Sequence, residues 1–402
     1  MISQRENIKK ATISLIFIYL LYTFWYQYAF SPIDGFLSIL GILMLMLSIT
    51  TIHTDISYYK EIVVIVIFII YCFLTGLITS NNPNMTMKLV LQIVKYCIPL
   101  YTIYLYVGQE EKKLDDVMLS MLLGCSVLAI WSFYNPIYTM TYTAVAITGE
   151  GKLNPNVFSS YMMLGVMGCT YFLRKEEGIR KYILYILLVV ILISQLRAAS
   201  RRGILVCVLI VFAYFHTFLT IKNGKSKFKK IATIILLIII IAALLSEFTK
   251  LTDSFVVLQR LQGLYIGGDN ARRYYQEIAF ELFESSPLFG KGLGAVTNEI
   301  GMYSHSLYFE LLACTGLVGT TIMLGYLISI IWRFGKASIK RSYDYNLFFS
   351  RLMFWYGFAL LVSGVAVVLI YDSYFYIILS IFACSLKIIN NKNRNSRFIA
   401  KE

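Results

Sequence analysis

Three arginines within six residues, Arg197, Arg201 and Arg202, lie between two long apolar segments of this chain. Ser200 is a good N-cap, so Arg201 and Arg202 are predicted to lie in the first turn of the next helix. The helix dipole opposes a cation at that end, and helix stability therefore does not explain these side chains. A bound anion would remove the conflict, because free N–H groups and guanidinium forks both bind phosphate or pyrophosphate. Snorkelling to lipid headgroups is the alternative interpretation.

A second pair of arginines, Arg272 and Arg273, follows a Gly-Gly-Asp-Asn turn at the start of a predicted helix over residues 271–285. Apolar residues recur there at spacings of three and four, which predicts an amphipathic helix that lies on the membrane surface or covers the helix bundle. Its apolar face comprises Tyr275, Ile278, Ala279, Leu282 and Phe283. Solvated surface arginines are the alternative to an anion site here.

His305 differs from the other two histidines because it directly precedes a long apolar segment at the predicted outer surface. A helix N-terminus disfavours imidazolium, so a neutral imidazole is available there as a proton acceptor. A hydrogen-bonded structural histidine is the alternative. Gly316 and Gly319, further along the same segment, are predicted to allow close contact with a neighbouring helix. The glycine-rich segment 287–294 is predicted to form a tight turn where the backbone passes close to another part of the molecule.

The composition indicates that a membrane holds these residues in place. Of 402 residues, 58% are hydrophobic and 14% are charged, whereas about a quarter of the residues in a soluble domain are charged. This balance excludes a soluble enzyme, a disordered chain and a nucleic-acid-binding protein, despite a net charge of +14. A helix crosses the bilayer with about 20 apolar residues. Twelve segments meet this requirement, namely 11–30, 33–51, 62–80, 88–108, 117–136, 155–173, 181–197, 203–221, 231–246, 305–332, 350–371 and 373–389.

The sequence therefore predicts an all-α polytopic membrane protein with about twelve transmembrane helices and one large extracytoplasmic loop that contains the amphipathic helix. Lys and Arg cluster in alternate connections, which by the positive-inside rule places both termini in the cytoplasm and His305 outside. The chain divides into transmembrane helices one to nine (1–246), the extracytoplasmic loop (247–304), helices ten to twelve (305–389) and a cytoplasmic tail (390–402). The predicted location is the bacterial cytoplasmic (inner) membrane.

The residues around His305 carry a family resemblance. His305 and Ser306 are followed by nine residues, Gly316, two residues and Gly319. This spacing resembles the pattern H-[NSQ]-x9-G-x-x-[GTY] of the O-antigen ligase and polymerase superfamily, which also includes bacterial O-oligosaccharyltransferases. Residues 200–203, Ser-Arg-Arg-Gly, resemble the Ser-Arg element that opens a central helix in that family.

Two further positions bear on the resemblance. Arg272 together with the Pro and Gly residues of segment 287–294 resembles the element R…P-x-x-G-x-G of the family's large periplasmic loop. Cys314 departs from the pattern, because relatives often carry glutamate there. Glu310, five residues after His305, is an alternative acid that does not match the motif.

The resemblance implies transfer of a glycan from an undecaprenyl-pyrophosphate carrier to an acceptor hydroxyl on the outer side of the membrane. Arg201 and Arg272 are the predicted stabilisers of the leaving pyrophosphate, and His305 is predicted to accept or orient the proton of the acceptor hydroxyl. The predicted substrate-binding neighbours are Arg197, Arg202, Arg273 and Tyr303. No metal or cofactor is expected, because the outer segments carry no DxD motif and no His/Asp/Glu cluster with metal-ligand spacing.

The favoured function is a glycosyltransferase that polymerises lipid-linked repeat units of a surface polysaccharide, either O-antigen or capsule. A ligase that transfers the glycan to lipid A core is the first alternative, since the motifs do not separate the two acceptors. A flippase or transporter is the second, and it explains the topology but not the outer arginines and histidine. The expected partners are the lipid-linked glycan and the bilayer, with chain-length regulator and flippase proteins as candidates and without nucleic acid.

Overall fold

The computed structural model of the protein describes residues 2–26, 35–49, 59–134, 147–148, 152–153, 155–198, 200–220, 270–339 and 344–399. Its helices are α1 (Ile2–Leu21, continued by the π-helical turn Tyr22–Tyr26), α2 (Phe36–Ile49), α3 (Val63–Ile78), α4 (Pro83–Val107), α5 (Glu111–Tyr134), α6 (Pro155–Leu173), α7 (Gly178–Arg197), α8 (Arg201–Thr220), α9 (Asn270–Ser285), α10 (Ala295–Ile300), α11 (Leu307–Ile339), α12 (Asp344–Gly364) and α13 (Ser373–Ile399). Two short strands, Ile147–Thr148 and Lys152–Leu153, pair antiparallel. The predicted all-α fold class is confirmed.

Eight of the described helices are long and apolar enough to cross a membrane. They are α1, α4, α5, α7, α8, α11, α12 and α13, while α2 and α3 are shorter apolar helices. The predicted segment 155–173 coincides with α6, nearly all of whose side chains are buried among its neighbours. The predicted span 231–246 and the loop residues 247–269 lie outside the described residues. The count of twelve spans and the sidedness of the loop therefore stay predictions.

The centre of the bundle is α13. Of its apolar window, 89% lies buried inside the molecule, the largest share among the candidate spans of the described chain. Residues 374–389 of α13 are all buried, as expected of a helical segment at the centre of a bundle, and α13 packs against both α4 and α11. Its first turn includes Tyr374, Phe375 and Tyr376, all of them buried. The start of α13 is thereby fixed against the elements that carry the candidate site.

The connection between α12 and α13 differs from the predicted one. The apolar run 350–371 predicts a helix to its end, but α12 stops at Gly364, and a single 3-10 turn, Leu369–Tyr371, precedes α13. Val368, Leu369 and Ile370 are buried although they are not α-helical. Apolar content predicts burial but does not distinguish a buried irregular link from a helix, so the boundary was wrong. The link brings two polar residues, Tyr371 and Asp372, to the end of the bundle that holds His305.

The amphipathic helix predicted over 271–285 is observed as α9. Ala279 is fully buried and Leu282 half-buried, whereas Tyr274 and Phe280 on the other face are exposed. α9 packs against α11, and its Tyr275 ring lies against His305 just before α11 begins. Of the two predicted placements, the structure favours a helix that covers the bundle.

Charged clusters gather at the opposite end of the bundle. Arg333 lies about 40 Å along α11 from its first residue, at 1.5 Å per residue. There it donates hydrogen bonds to both carboxylate oxygens of Glu61, with Nη2 2.7 Å from Oε1. At the ends of α5, α6 and α13, Glu111 accepts from Arg174 at 3.1 Å and also pairs with Lys175 and Lys392. The end that carries His305 is thus distinct from the end that carries these ion pairs.

Candidate active site

His305 lies between α10 and α11 in a left-handed backbone conformation with a φ of 58°. It is the one non-glycine residue with positive φ in the described part of the chain. Its ring lies against two tyrosines, with centroid distances of 4.5 Å to Tyr303 and 5.6 Å to Tyr275. Tyr275 belongs to α9, so this helix covers both the imidazole and α11. The histidine therefore lies half-buried between the covering helix and the bundle.

The backbone before His305 is held by a buried carboxylate. Glu310 has no exposed surface, and its Oε2 accepts a hydrogen bond from Ser304 N at 2.9 Å. The Ser304 hydroxyl donates to Ser306 O at 2.9 Å, which closes a tight turn around the histidine. Relatives often carry glutamate at the position of Cys314. In this protein a carboxylate lies beside that position because Glu310, one helical turn earlier, places its Oε1 3.6 Å from Cys314 Sγ.

α11 is interrupted at Gly316, whose backbone angles (φ 61°, ψ −166°) are not helical. The segment 287–294 inserts at this break, and its backbone replaces the missing helical hydrogen bonds. The four bonds run from Lys291 N to Ala313 O (3.0 Å), from Gly292 N to Cys314 O (2.9 Å), from Leu317 N to Pro287 O (2.8 Å) and from Val318 N to Leu288 O (3.2 Å). Segment 287–294 and the break of α11 at Gly316 therefore form one hydrogen-bonded junction.

Glycine is required on both sides of this junction. A Cβ on Gly290 would lie 2.4 Å from the backbone carbonyl carbon of Cys314, and a Cβ on Gly316 would lie 2.4 Å from the backbone oxygen of Leu288. The close backbone approach predicted for 287–294 is confirmed. The expectation for Gly316 is corrected, because this residue breaks the helix to admit the loop rather than packing two helices together.

Gly319 does contact a neighbouring helix, as predicted. A Cβ at this position would lie 2.6 Å from the ring of Tyr71 on α3. The hydroxyl of Tyr71 donates to Thr315 O at 2.7 Å and to Phe289 O at 3.2 Å, so one side chain binds both halves of the junction. The motif glycines and Tyr71 together fix the loop that follows α9 against α11.

Arg202 reaches from the first turn of α8 into the bundle. Its Nη2 donates to Asn156 O at 2.7 Å and to Ser160 Oγ at 3.0 Å, both on α6. Its Nη1 donates to Ser363 Oγ at 2.5 Å near the end of α12. Nε is buried and has no hydrogen-bond partner among the described residues. Two helices, α6 and α12, therefore fix the position of this guanidinium group.

Tyr303 connects the basic residues with the histidine it contacts. Burial raises the pKa of its hydroxyl, Asp372 and Glu310 raise it further, and Arg272 and Arg202 lower it. Coulombic effects weaken with distance, so the charges of these four groups lie close enough to act on the phenol. Arg272 precedes Tyr275 by three residues on α9, and Arg202 lies in the first turn of α8, so each of these helices carries an arginine near its start.

Asp372, in the link before α13, was not among the site residues predicted from the sequence. Burial raises the pKa of its carboxyl group from 3.8 to about 7, and the positive charge of Arg202 opposes that rise. A hydrogen-bond chain runs beside it, since Ser160, which binds Arg202, donates to the hydroxyl of Tyr374 at 3.1 Å. The sequence carries a signal for this residue, because Asp372 is a lone carboxylate between two apolar segments, where ionisable groups are costly.

The remaining predicted arginines occupy different places. Ser200 caps α8 as predicted, with its hydroxyl accepting from Gly203 N at 3.4 Å. Arg201 is half-buried in that first turn, and no hydrogen bond or ion pair of the described residues involves it. Arg273 points outward and donates to Glu277 on the same helix at 3.0 Å. Arg197 ends α7, and its side chain lies outside the described part of the chain.

The comparison with protein families agrees with this arrangement. A family model described as O-antigen ligase matches residues 182–324, about a third of the chain. That segment carries both arginine motifs, His305 and the glycine junction, and the match supports membership of the O-antigen ligase and polymerase superfamily. No curated protein is significantly similar to the chain. The family and the apolar helices together indicate an integral membrane protein with a ligase- or polymerase-type activity in polysaccharide assembly.

Proposed function

We propose that this protein is a glycosyltransferase that polymerises undecaprenyl-pyrophosphate-linked repeat units of a surface polysaccharide on the outer face of the cytoplasmic membrane. The observation that carries the proposal is that His305, whose ring lies 4.5 Å from that of Tyr303 and 5.6 Å from that of Tyr275, shares one end of the bundle with the helix starts that carry Arg202 and Arg272. Guanidinium groups bind a pyrophosphate anion, and a sugar hydroxyl that acts as a nucleophile needs a proton acceptor. Both requirements meet at one end of the bundle.

In the proposed reaction, the acceptor hydroxyl oxygen attacks the anomeric carbon of the donor sugar. The bond from that carbon to the pyrophosphate oxygen breaks, and His305 takes the proton of the hydroxyl. Undecaprenyl pyrophosphate leaves as an anion whose developing charge Arg202 and Arg272 stabilise. The loss of one oriented donor of this kind costs about 3–4 kcal/mol in the barrier, or 10²–10³-fold in rate.

We propose that the main anion-binding role belongs to Arg202 rather than to its neighbour Arg201. The positive charge of Arg202 lowers the pKa of Tyr303, while no hydrogen bond or ion pair of the described residues involves Arg201. We assign Arg201 to the outer edge of the same site, where it meets a phosphate of the substrate. The covering helix α9 then encloses the sugars, and the lipid tail stays among the spans.

The ligase alternative is favoured by one specific finding, since the matching family is described as O-antigen ligase. The same residues would activate a hydroxyl of lipid A core instead of a hydroxyl of a second lipid-linked repeat unit. The two activities share the donor, the leaving group and the histidine. They differ in the acceptor alone, so an assay with both acceptors separates them.

The test is incubation of the purified protein with an undecaprenyl-pyrophosphate-linked repeat unit, alone and with lipid A core. A ladder of products with the donor alone supports the polymerase, and one shifted product that requires lipid A core supports the ligase. The absence of both products would refute a transferase and favour a transporter. His305→Ala is expected to abolish the product, whereas His216→Ala, an exposed histidine stacked on Phe212 near the end of α8, is the matched control.

A further inference from the structure

One buried carboxylate joins three separate parts of the molecule next to His305. Glu310 Oε2 accepts from Ser304 N at 2.9 Å, and Oε1 accepts from the hydroxyl of Tyr371 at 3.1 Å. Cys314 Sγ, one turn further along α11, lies 3.6 Å from Oε1. The carboxylate thus links the segment before His305, the connection between α12 and α13, and α11 itself.

The link extends beyond Tyr371. Its hydroxyl also accepts a hydrogen bond from Gly294 N at 3.2 Å, at the end of the loop that inserts into the break of α11. Its backbone carbonyl oxygen accepts from Gln92 Nε2 on α4 at 3.3 Å. Glu310 and Tyr371 are therefore a two-residue clamp that ties the turn around His305 to the inserted loop and to the bundle.

The backbone of His305 needs such a clamp. A residue with a side chain in the left-handed region at a φ of 58° is strained, by about 1–2 kcal/mol. Strain of this kind persists where the surroundings fix the backbone. The neighbouring Ser304 N, bound by the carboxylate, and the Ser304 hydroxyl, bound to Ser306 O, are the contacts that do so.

We infer that Glu310 is a positioning residue that sets the place of His305, and that it is not the acid or base of the reaction; the inference rests on the proposed function. Glu310 has no exposed surface, and both of its oxygens face hydrogen-bond donors of the protein. It therefore offers no face to a substrate. Its influence on the reaction passes through Ser304 to the imidazole.

Glu310→Gln and Glu310→Ala distinguish positioning from proton transfer. The amide of glutamine still accepts from Ser304 N with its oxygen and donates to the Tyr371 hydroxyl with its nitrogen, so the clamp persists without an ionisable group. Glu310→Gln is therefore expected to keep kcat within about tenfold of the wild type. Glu310→Ala removes the clamp and is expected to lower kcat about 100-fold, since small misplacements of a catalytic group have effects of this size.

Two further readouts separate positioning from general destabilisation. The KM for the lipid-linked donor is expected to be unchanged in Glu310→Ala, because Arg202 and Arg272 bind the donor. As a single variant, Tyr371→Phe removes the second half of the clamp and is expected to lower kcat. Added to Glu310→Ala, it is expected to have little further effect on kcat, since the effects of coupled residues are not additive. Tyr371→Phe and Glu310→Gln preserve side-chain volume and decide the matter even where Glu310→Ala does not fold.

The outcomes are distinct. Loss of kcat in Glu310→Gln equal to that in Glu310→Ala would overturn the inference, because the ionisable group itself would then be needed. Wild-type kcat in Glu310→Ala would overturn it as well. Absence of transfer by the wild-type protein would instead refute the proposed function.

Discussion

Replacement of Gly316 by alanine tests the junction between the inserted loop and α11. The backbone at this position (φ 61°, ψ −166°) lies in a region essentially restricted to glycine, and an alanine there costs about 1–3 kcal/mol. The new Cβ would lie 2.4 Å from Leu288 O and 2.6 Å from Phe289 N, both backbone atoms. The loop must then move away from the helix.

The movement breaks some of the four backbone hydrogen bonds at the junction, at about 1 kcal/mol each. Together with the backbone strain, Gly316→Ala is expected to lower the free energy of unfolding by about 3–5 kcal/mol. The assay is thermal unfolding of the purified protein in detergent, followed by glycan transfer on the same samples. A lower midpoint and a slower transfer are expected, because the loop also carries Gly294, which binds the clamp at Tyr371.

Gly325→Ala is the matched control in the same helix. Gly325 is exposed, and a Cβ added there would meet no atom of a neighbouring segment within 4 Å. Its replacement by alanine is expected to leave the midpoint unchanged or to raise it, since alanine favours the helix by up to about 1 kcal/mol. The reasoning would be refuted by a Gly316→Ala protein that unfolds at the same temperature as Gly325→Ala.

Three further predictions concern charged groups. Arg202→Ala is expected to reduce the rate of transfer about 10²–10³-fold, whereas Arg180→Ala, on an exposed arginine of α7, leaves the rate unchanged; initial rates of product formation compare the two. The raised pKa of Asp372, about 7 against 3.8, means that the folded protein binds this proton more tightly than the unfolded chain, so stability present below pH 3.8 is lost as pH rises towards 7. The expected loss is about 4 kcal/mol, and unfolding of Asp372→Asn between pH 4 and 8 should lack it. Glu61→Ala is expected to destabilise the protein more than the double replacement Glu61→Ala/Arg333→Met, because the single change leaves an unpaired guanidinium group. A denaturation series in which the double variant is less stable than Glu61→Ala would contradict this.

The sequence predicted the elements that depend on local chemistry. The N-cap at Ser200, the helix α9 and its packed face follow from hydrogen-bonding groups and apolar spacing within a few residues. The motif spacing also predicted His305 and Arg272 as site residues, and both lie at one end of the bundle, because Tyr275 on the helix of Arg272 contacts His305. Local patterns suffice for such features because their physical causes are local.

Features that depend on contacts between distant segments were not predictable in the same way. Arg202 turns inward because α6 and α12 offer acceptors at Asn156 O and Ser363 Oγ, which no spacing within α8 reveals. The break at Gly316 exists because a loop about 25 residues earlier in the chain supplies the missing hydrogen bonds. Asp372 lies in the link just before α13. The apolar run 350–371 predicts a continuous helix and gives no sign of that link.

The most direct test of the central proposal measures donor binding and glycan transfer on the same purified samples. The wild-type protein, His305→Ala and the double variant Arg202→Ala/Arg272→Ala are each titrated with the undecaprenyl-pyrophosphate-linked repeat unit. Donor binding that survives in His305→Ala without transfer, and that is lost in the double arginine variant, is the expected result. Equal donor binding by all three proteins, or transfer by His305→Ala at the wild-type rate, would contradict the assignment of one diphosphate site beside one imidazole.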